Sequence, residues 1–230
     1  MYKKGIYQES DSMSGLICGN YPMLLVMGRF GISLGFGERN IGEVCRRNKV
    51  DTRTFLTVVN FLAEGVPSTD FSLEALMNYL HNAHNYFLNF RLPRLRTRLG
   101  EALKDSPSEV FFAICNFFDE YISEVHKHMS YEEKTVFPYV RALLSGEKKP
   151  HYNIAIFTRR HDRIEMKMED LKNLLIKYYS GTASDNLNSV LYGIFATEDD
   201  LASHNRVEND LFVPAIRKLE LGLAGDASGN

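Results

Sequence analysis

Tryptophan is absent from this 230-residue chain, and cysteine is scarce: Cys18, Cys45 and Cys115, far apart and without a CxxC pair. An odd, scattered set of thiols excludes a disulfide framework. It also argues against a Cys-type zinc or iron–sulfur site and fits a reducing compartment. Excess charge of one sign is lacking too, because 27 Lys and Arg stand against 29 Asp and Glu, a formal net charge of −2. That balance leaves no basic footprint for nucleic acid or an anionic membrane. A long hydrophobic run is also missing. The most apolar early stretch, YPMLLVMGRFGISLGFG, is cut by Arg29 and ends in glycines, too short and broken to span a bilayer. The opening MYKKGIYQESDSMSG has no apolar core of signal-peptide kind. Neither nucleic acid nor a membrane is expected as a partner, and the cytoplasm is the expected compartment.

The composition is otherwise that of an ordinary globular protein, 44% hydrophobic and 24% charged, enough for one large domain or a large one with a small partner. Residues 1–20 read as a mostly polar lead-in. Short helical pieces come next at roughly 21–30, 40–48 and 52–63, with Asp51 placed to cap the last. From Ser72 to about Leu221 apolar residues recur at three- and four-residue spacing without strand-like alternation. Breakers near Asp105–Pro107, Ser145–Pro150 and Ser180–Asp185 divide that stretch into helices of about 72–103, 107–144, 152–179 and 185–220. Short connections make neighbours antiparallel. The expected fold is all-α, a small helical N-terminal module over 1–66 followed by an antiparallel four-helix bundle over 67–230.

Two segments of the bundle repeat one pattern: HMSYEEKTVFPYVR, with His128, Glu132, Pro138 and Arg141, and HNRVENDLFVPAIR, with His204, Glu208, Pro214 and Arg217. In each, Glu follows His by four residues, so both side chains share one face about a turn apart. Counting from the breakers puts His84, His128, His161 and His204 near one height in antiparallel helices. The second connection fits less well, and a kink or shortening at Pro138 absorbs the difference. His84 stands four residues from both Leu80 and Leu88 on an apolar stripe, but His81, one turn earlier, stays open as the first-helix residue. His126 and His151 read as surface residues.

Taken singly, each histidine is more often a surface or core residue than a ligand. As a group, four imidazoles and two carboxylates among apolar neighbours cost several kcal/mol per buried charge unless a cation offsets it. Imidazole plus carboxylate without thiolate suits iron or manganese. Glu132 and Glu208 bridging two ions, with two histidines on each, leave coordination positions for an oxo or hydroxo bridge or a small diatomic ligand.

At these residues the bundle resembles the hemerythrin-like (HHE cation-binding) domain. More narrowly, HMSYEEKTVFP, RRHD and HNRVENDLFVP resemble the motifs of the di-iron family called repair of iron centres, over about residues 72–218. The resemblance implies metal ligands His84, His128, Glu132, His161, His204 and Glu208, and a non-haem centre of two iron ions with an oxo bridge. It implies nitric oxide and oxygen as ligands, iron–sulfur proteins as partners, and protection or repair of iron–sulfur centres under nitrosative or oxidative stress. Two departures stand out. Members of that family often carry adjacent cysteines in the N-terminal domain, where this chain has GISLGFG. Oxygen-carrying hemerythrins add a His four residues after the third-helix His and end with an Asp five after the last; Glu165 and Asn209 stand there here. Three functions remain open at this level: a redox-active protective centre, an oxygen or nitric oxide sensor signalling through the N-terminal module, and a helical module with incidental metal.

Overall fold

Ser12 accepts a hydrogen bond from the Gly15 amide and so starts a helix inside the stretch read as a polar lead-in. Helix α1 (Met13–Gly19) escapes the periodicity argument because it is only 7 residues long and rests on two apolar anchors, Met13 and Leu16, both buried. The other N-terminal helices fall where the spacing expects them: α2 (Met23–Arg29), α3 (Ile41–Arg47) and α4 (Thr52–Glu64). The computed structural model describes residues 5–147, 152–159, 162–179, 181 and 184–225. Among these, all regular structure is helical apart from one isolated bridge between Ser12 and Asn40.

Local chemistry sets the ends of these helices. Asn40 and Glu43 form a reciprocal capping box at the start of α3. Asp51 caps α4, accepting from the Thr54 amide at 2.8 Å and the Thr54 hydroxyl at 2.6 Å. The same hydroxyl accepts the Ser72 amide at 2.9 Å, so one buried threonine ties the start of α4 to the chain entering the bundle. Gly65, at φ 70°, ends α4 in the left-handed conformation that glycine adopts without a Cβ clash. Val26, Met27, Ile41, Val44, Cys45, Phe55 and Val58 are buried among these helices.

Four longer helices complete the chain. Helix α5 consists of Leu73–Tyr86, a π turn at Phe87–Arg91 and Leu92–Ala102. Helix α6 consists of Ser108–Tyr131, a π turn at Glu132–Val136 and Phe137–Leu144. A 3-10 turn at Ile154–Arg159 leads to α7, which is Asp162–Asn173 closed by a π turn at Leu174–Tyr178. Helix α8 is Asp185–Val207, a π turn at Glu208–Phe212 and Val213–Gly225. The chain divides into two compact units. One holds the chain up to Ala83, a short piece from Leu143 and the chain from Arg206 onward; the other holds His84–Ala142 and the chain reaching Asn205.

Within the second unit the pairings run in opposite directions between α5 and α6, between α6 and the chain through α7, and between α5 and α8. Between α5 and α6, Arg96 grips Asp119 at 2.7 and 3.0 Å, while His84 meets Glu133. Between α6 and α7, Glu120 faces Lys167, while Tyr131 bonds Tyr152, ahead of α7. Lys172 of α7 pairs with Glu198 of α8. Arg91 of α5 reaches Thr197 and Gly193 of α8, and Arg98 reaches Ser189. Rising numbers on one helix meet falling numbers on the next, and the circuit closes on α5. That is an antiparallel up-down-up-down bundle.

Pro93, Pro138 and Pro214 each stand two residues beyond the last residue of a π turn. A helical proline offers no N–H, and its ring collides with the carbonyl four residues back. Widening the turn ahead of it relieves that collision: Leu92, Phe137 and Val213 donate instead to carbonyls five residues back, those of Phe87, Glu132 and Glu208. The kink expected at Pro138 is therefore a π turn through which the helix continues to Leu144. Glu132 and Glu208 are the first residues of their π turns.

Two substitutions test this framework. Arg91→Ala removes bonds of 2.7 and 2.9 Å to Thr197 and the Gly193 carbonyl. It should cost about 1.5–3 kcal/mol in urea unfolding, the usual worth of hydrogen bonds from a charged group. Asp51→Ala should cost about 1 kcal/mol through its lost cap. Burial pushes the Asp51 carboxyl up, but the bonds from the Thr54 hydroxyl and amide, with Arg53 nearby, outweigh it and hold it below its ordinary value. A depressed carboxyl contributes stability above its unfolded value and loses it as pH falls through the folded one. The gap between wild type and D51A, measured by unfolding at several pH values, should therefore close in strong acid.

Candidate metal centre

Three helices carry the side chains that converge in the bundle. His84 comes from α5, His128 and Glu132 from α6, and His204 and Glu208 from α8, each His–Glu pair separated by one helical turn. All five are buried, Glu132 and Glu208 at 0% exposure. Their neighbours are equally dry: Phe137 stacks on the His84 ring, centroids 5.6 Å apart and planes within 6°. Phe87 meets His204 edge-on at 5.9 Å.

The polar contacts are short and divided. Glu132 Oε2 lies 2.8 Å from His84 Nε2, and Glu132 Oε1 lies 2.8 Å from His128 Nε2. The two oxygens of one carboxylate thus face two imidazoles that come from different helices. The far nitrogen of His84, Nδ1, lies 2.7 Å from Glu133 Oε1. His204 stands edge-on to His84, ring centroids 5.1 Å apart.

His84, Glu132, His204 and Glu208 each offer one ligand atom, and these atoms all lie within 4.8 Å of one another. Bonds of about 2.0–2.2 Å from nitrogen or oxygen to a transition metal bring ligand atoms on one ion within about 4.4 Å. The spacing therefore suits a cation with modest closing of the group. Buried imidazoles and carboxylates are hard-to-borderline donors of the kind that hold iron, manganese or zinc. The residues present fit a metal.

Of the six residues that the sequence singles out, His84, Glu132, His204 and Glu208 come together in that group, and His128 joins it through Glu132. His161 lies outside the described residues. His81 is exposed one turn before His84, and His126 is exposed beside Ser130. Arg141 and Arg217, the last members of the repeat, are exposed as well, so the spacing shared by the two copies reaches the buried group only through His and Glu. Asn209 is exposed, so nothing is offered inward at that position. The residue that the sequence reading passes over is Glu133. The doubled glutamate in HMSYEEK is its signal.

The cysteines take no part in the group. Cys18 is exposed on α1, and Cys45 and Cys115 are buried. Burial, outweighing a hydrogen bond with Thr52, pushes the Cys45 thiol up to about 11. It is a packed side chain.

Residues 75–216 match the Hemerythrin HHE cation binding domain, and the chain belongs to that family. No curated protein matches it. The match reaches all four bundle helices and takes in every residue of the buried His/Glu group. Among the described residues no helix is long and apolar enough to cross a membrane.

A ligand that binds only the folded state stabilises it by mass action, about 4 kcal/mol at a thousandfold excess over its dissociation constant. Removing metal with a chelator should therefore lower the thermal midpoint of the purified protein, and restoring ferrous iron or zinc should raise it again. A midpoint that ignores both treatments would mean the buried group holds no ion.

Proposed function

We propose that the chain is a non-haem di-iron protein whose ligands are His84, His128, Glu132, His161, His204 and Glu208, with Glu132 and Glu208 as bridges. One observation carries the reading: Glu132 presents its two oxygens to two different imidazoles at 2.8 Å each. A carboxylate serving a single ion has no need of a histidine on each oxygen, whereas a bridging one does. The repeat assigns Glu208 the matching role beside His204.

Two ferrous ions held there would supply open coordination positions and electrons for nitric oxide or oxygen. The chain's own contribution is positional and dielectric. Glu132 and Glu208 bring negative charge into a site at 0% exposure, which a dication offsets. Phe87 and Phe137 wall the histidines and keep water away, so a small apolar diatomic is favoured over larger polar substrates. The biological task we assign is protection or repair of iron–sulfur centres under nitrosative or oxidative stress, with iron–sulfur proteins as partners. The three free cysteines, with no disulfide between them, suit a reducing cytoplasm.

A specific pair of contacts favours a second reading, a sensor. The Asn82 amide donates to the Arg29 carbonyl of α2 at 2.8 Å, and Arg206 lies over the Phe61 ring of α4 at 5.0 Å. The N-terminal helices thus hold the chain two residues from His84 and two residues from His204. A shift in either ligand-bearing helix on diatomic binding would be felt there.

Protein purified without oxygen should contain about two iron ions per chain, and on oxidation should gain the near-ultraviolet and visible absorption of an oxo-bridged pair. Glu208→Ala should lower the iron content towards one or none, because a bridge couples both ions. Unchanged stoichiometry and spectrum in that variant would sink the assignment. Steady-state nitric oxide consumption by reduced protein supports the protective reading, and stoichiometric binding without turnover supports the sensor.

A further inference from the structure

We propose that Glu133 is a positioning residue for the metal centre, holding His84 by its outer nitrogen so that Nε2 faces inward. This rests on the metal reading above. It adds a residue that lies outside the six ligands.

The geometry is a clamp made by consecutive residues. Glu132 meets Nε2 of His84 at 2.8 Å, and Glu133 meets Nδ1 of the same ring at 2.7 Å. In a regular helix neighbouring side chains diverge by about 100°, yet these two carboxylates close on opposite edges of one imidazole. They occupy the first two positions of the π turn Glu132–Val136, whose extra residue per turn changes the angle between them. Phe137, just past that turn, lies parallel to the same ring. One short stretch of α6 therefore controls both edges and one face of a histidine on α5.

The alternative is an incidental surface ion pair. Two features argue against it. His84 is 2% exposed while the Glu133 side chain is 30% exposed, so the carboxylate reaches inward to a buried nitrogen. Its 2.7 Å separation is that of a charge-assisted bond. Nδ1 then carries the proton and donates to Glu133, leaving the Nε2 lone pair for a cation. A half-turn of the ring would put carbon in place of both nitrogens and lose both contacts. Glu133 thereby fixes the tautomer and the orientation together.

The test compares full-length wild type, Glu133→Gln and Glu133→Ala. Zinc affinity is measured by competition with a chromophoric chelator, and the His84 tautomer by nitrogen NMR of the zinc-loaded, diamagnetic protein. The metal-free melting temperature is followed in parallel. We expect Nδ1–H for His84 in wild type and zinc binding weakened about 10–100-fold in E133A, the usual effect of losing such a partner. E133Q, which keeps an acceptor oxygen, should lie between, and E133A should also melt somewhat lower without metal, because a bond to a buried nitrogen is lost. E133A binding zinc as tightly as wild type with the same tautomer would overturn the proposal. So would an affinity loss with the His84 tautomer and ring orientation unchanged, which marks a packing role. Wild type that took up neither zinc nor iron would bring down the metal reading itself, a separate and distinguishable failure.

Discussion

The bundle is organised around a carboxylate that has no access to water. Glu132 is at 0% exposure, with an imidazole 2.8 Å from each oxygen. Removing a carboxylate from water costs several kcal/mol even after relaxation, and removing a partner from such a group costs a comparable amount again. Each element that touches it is therefore constrained: α5 must present His84, α6 must keep His128 one turn back, and the aromatic walls must stay closed. Glu208, equally buried beside His204, imposes the same demand on α8.

Proline has an indirect part in meeting that demand. Pro138 and Pro214 are not in the buried group, yet each sits six residues after a buried glutamate and two beyond a π turn that the glutamate begins. The missing amide and the ring clash oblige the helix to widen ahead of each proline. Widening rotates the C-terminal half of the helix relative to the N-terminal half, so side chains that α-helical spacing would separate can face the same space. Pro93 does the same in α5, six residues after Phe87 begins the π turn there. That third instance lies on a helix that carries no His–Glu pair. The device is thus a property of the bundle and not of the repeat alone.

The N-terminal helices are anchored by packing and capping. Asp51, Thr54 and Ser72 form a continuous chain of hydrogen bonds into the start of α5; Asn82 of α5 bonds the Arg29 carbonyl and Arg206 of α8 lies over the Phe61 ring. Cys45 is sealed in this core with its thiol pushed to about 11.

The all-α class, the four long helices and the two pairs His128–Glu132 and His204–Glu208 are legible in the sequence because each rests on local spacing. Apolar residues every three to four positions make a helix face, and His followed four later by Glu shares that face whatever the helix packs against. Helix α1 is not legible, because two apolar anchors over 7 residues are too few to establish a period. The π turns and the grip of Glu133 on His84 belong to the tertiary structure. A doubled glutamate in a regular helix points in two directions, and the packing of α6 against α5 brings both carboxylates to one ring. The choice of His84 over His81 is likewise decided by packing. Both lie on α5 a turn apart, and a three-residue step around the helix separates the one that faces α6 and α8 from the one that faces solvent.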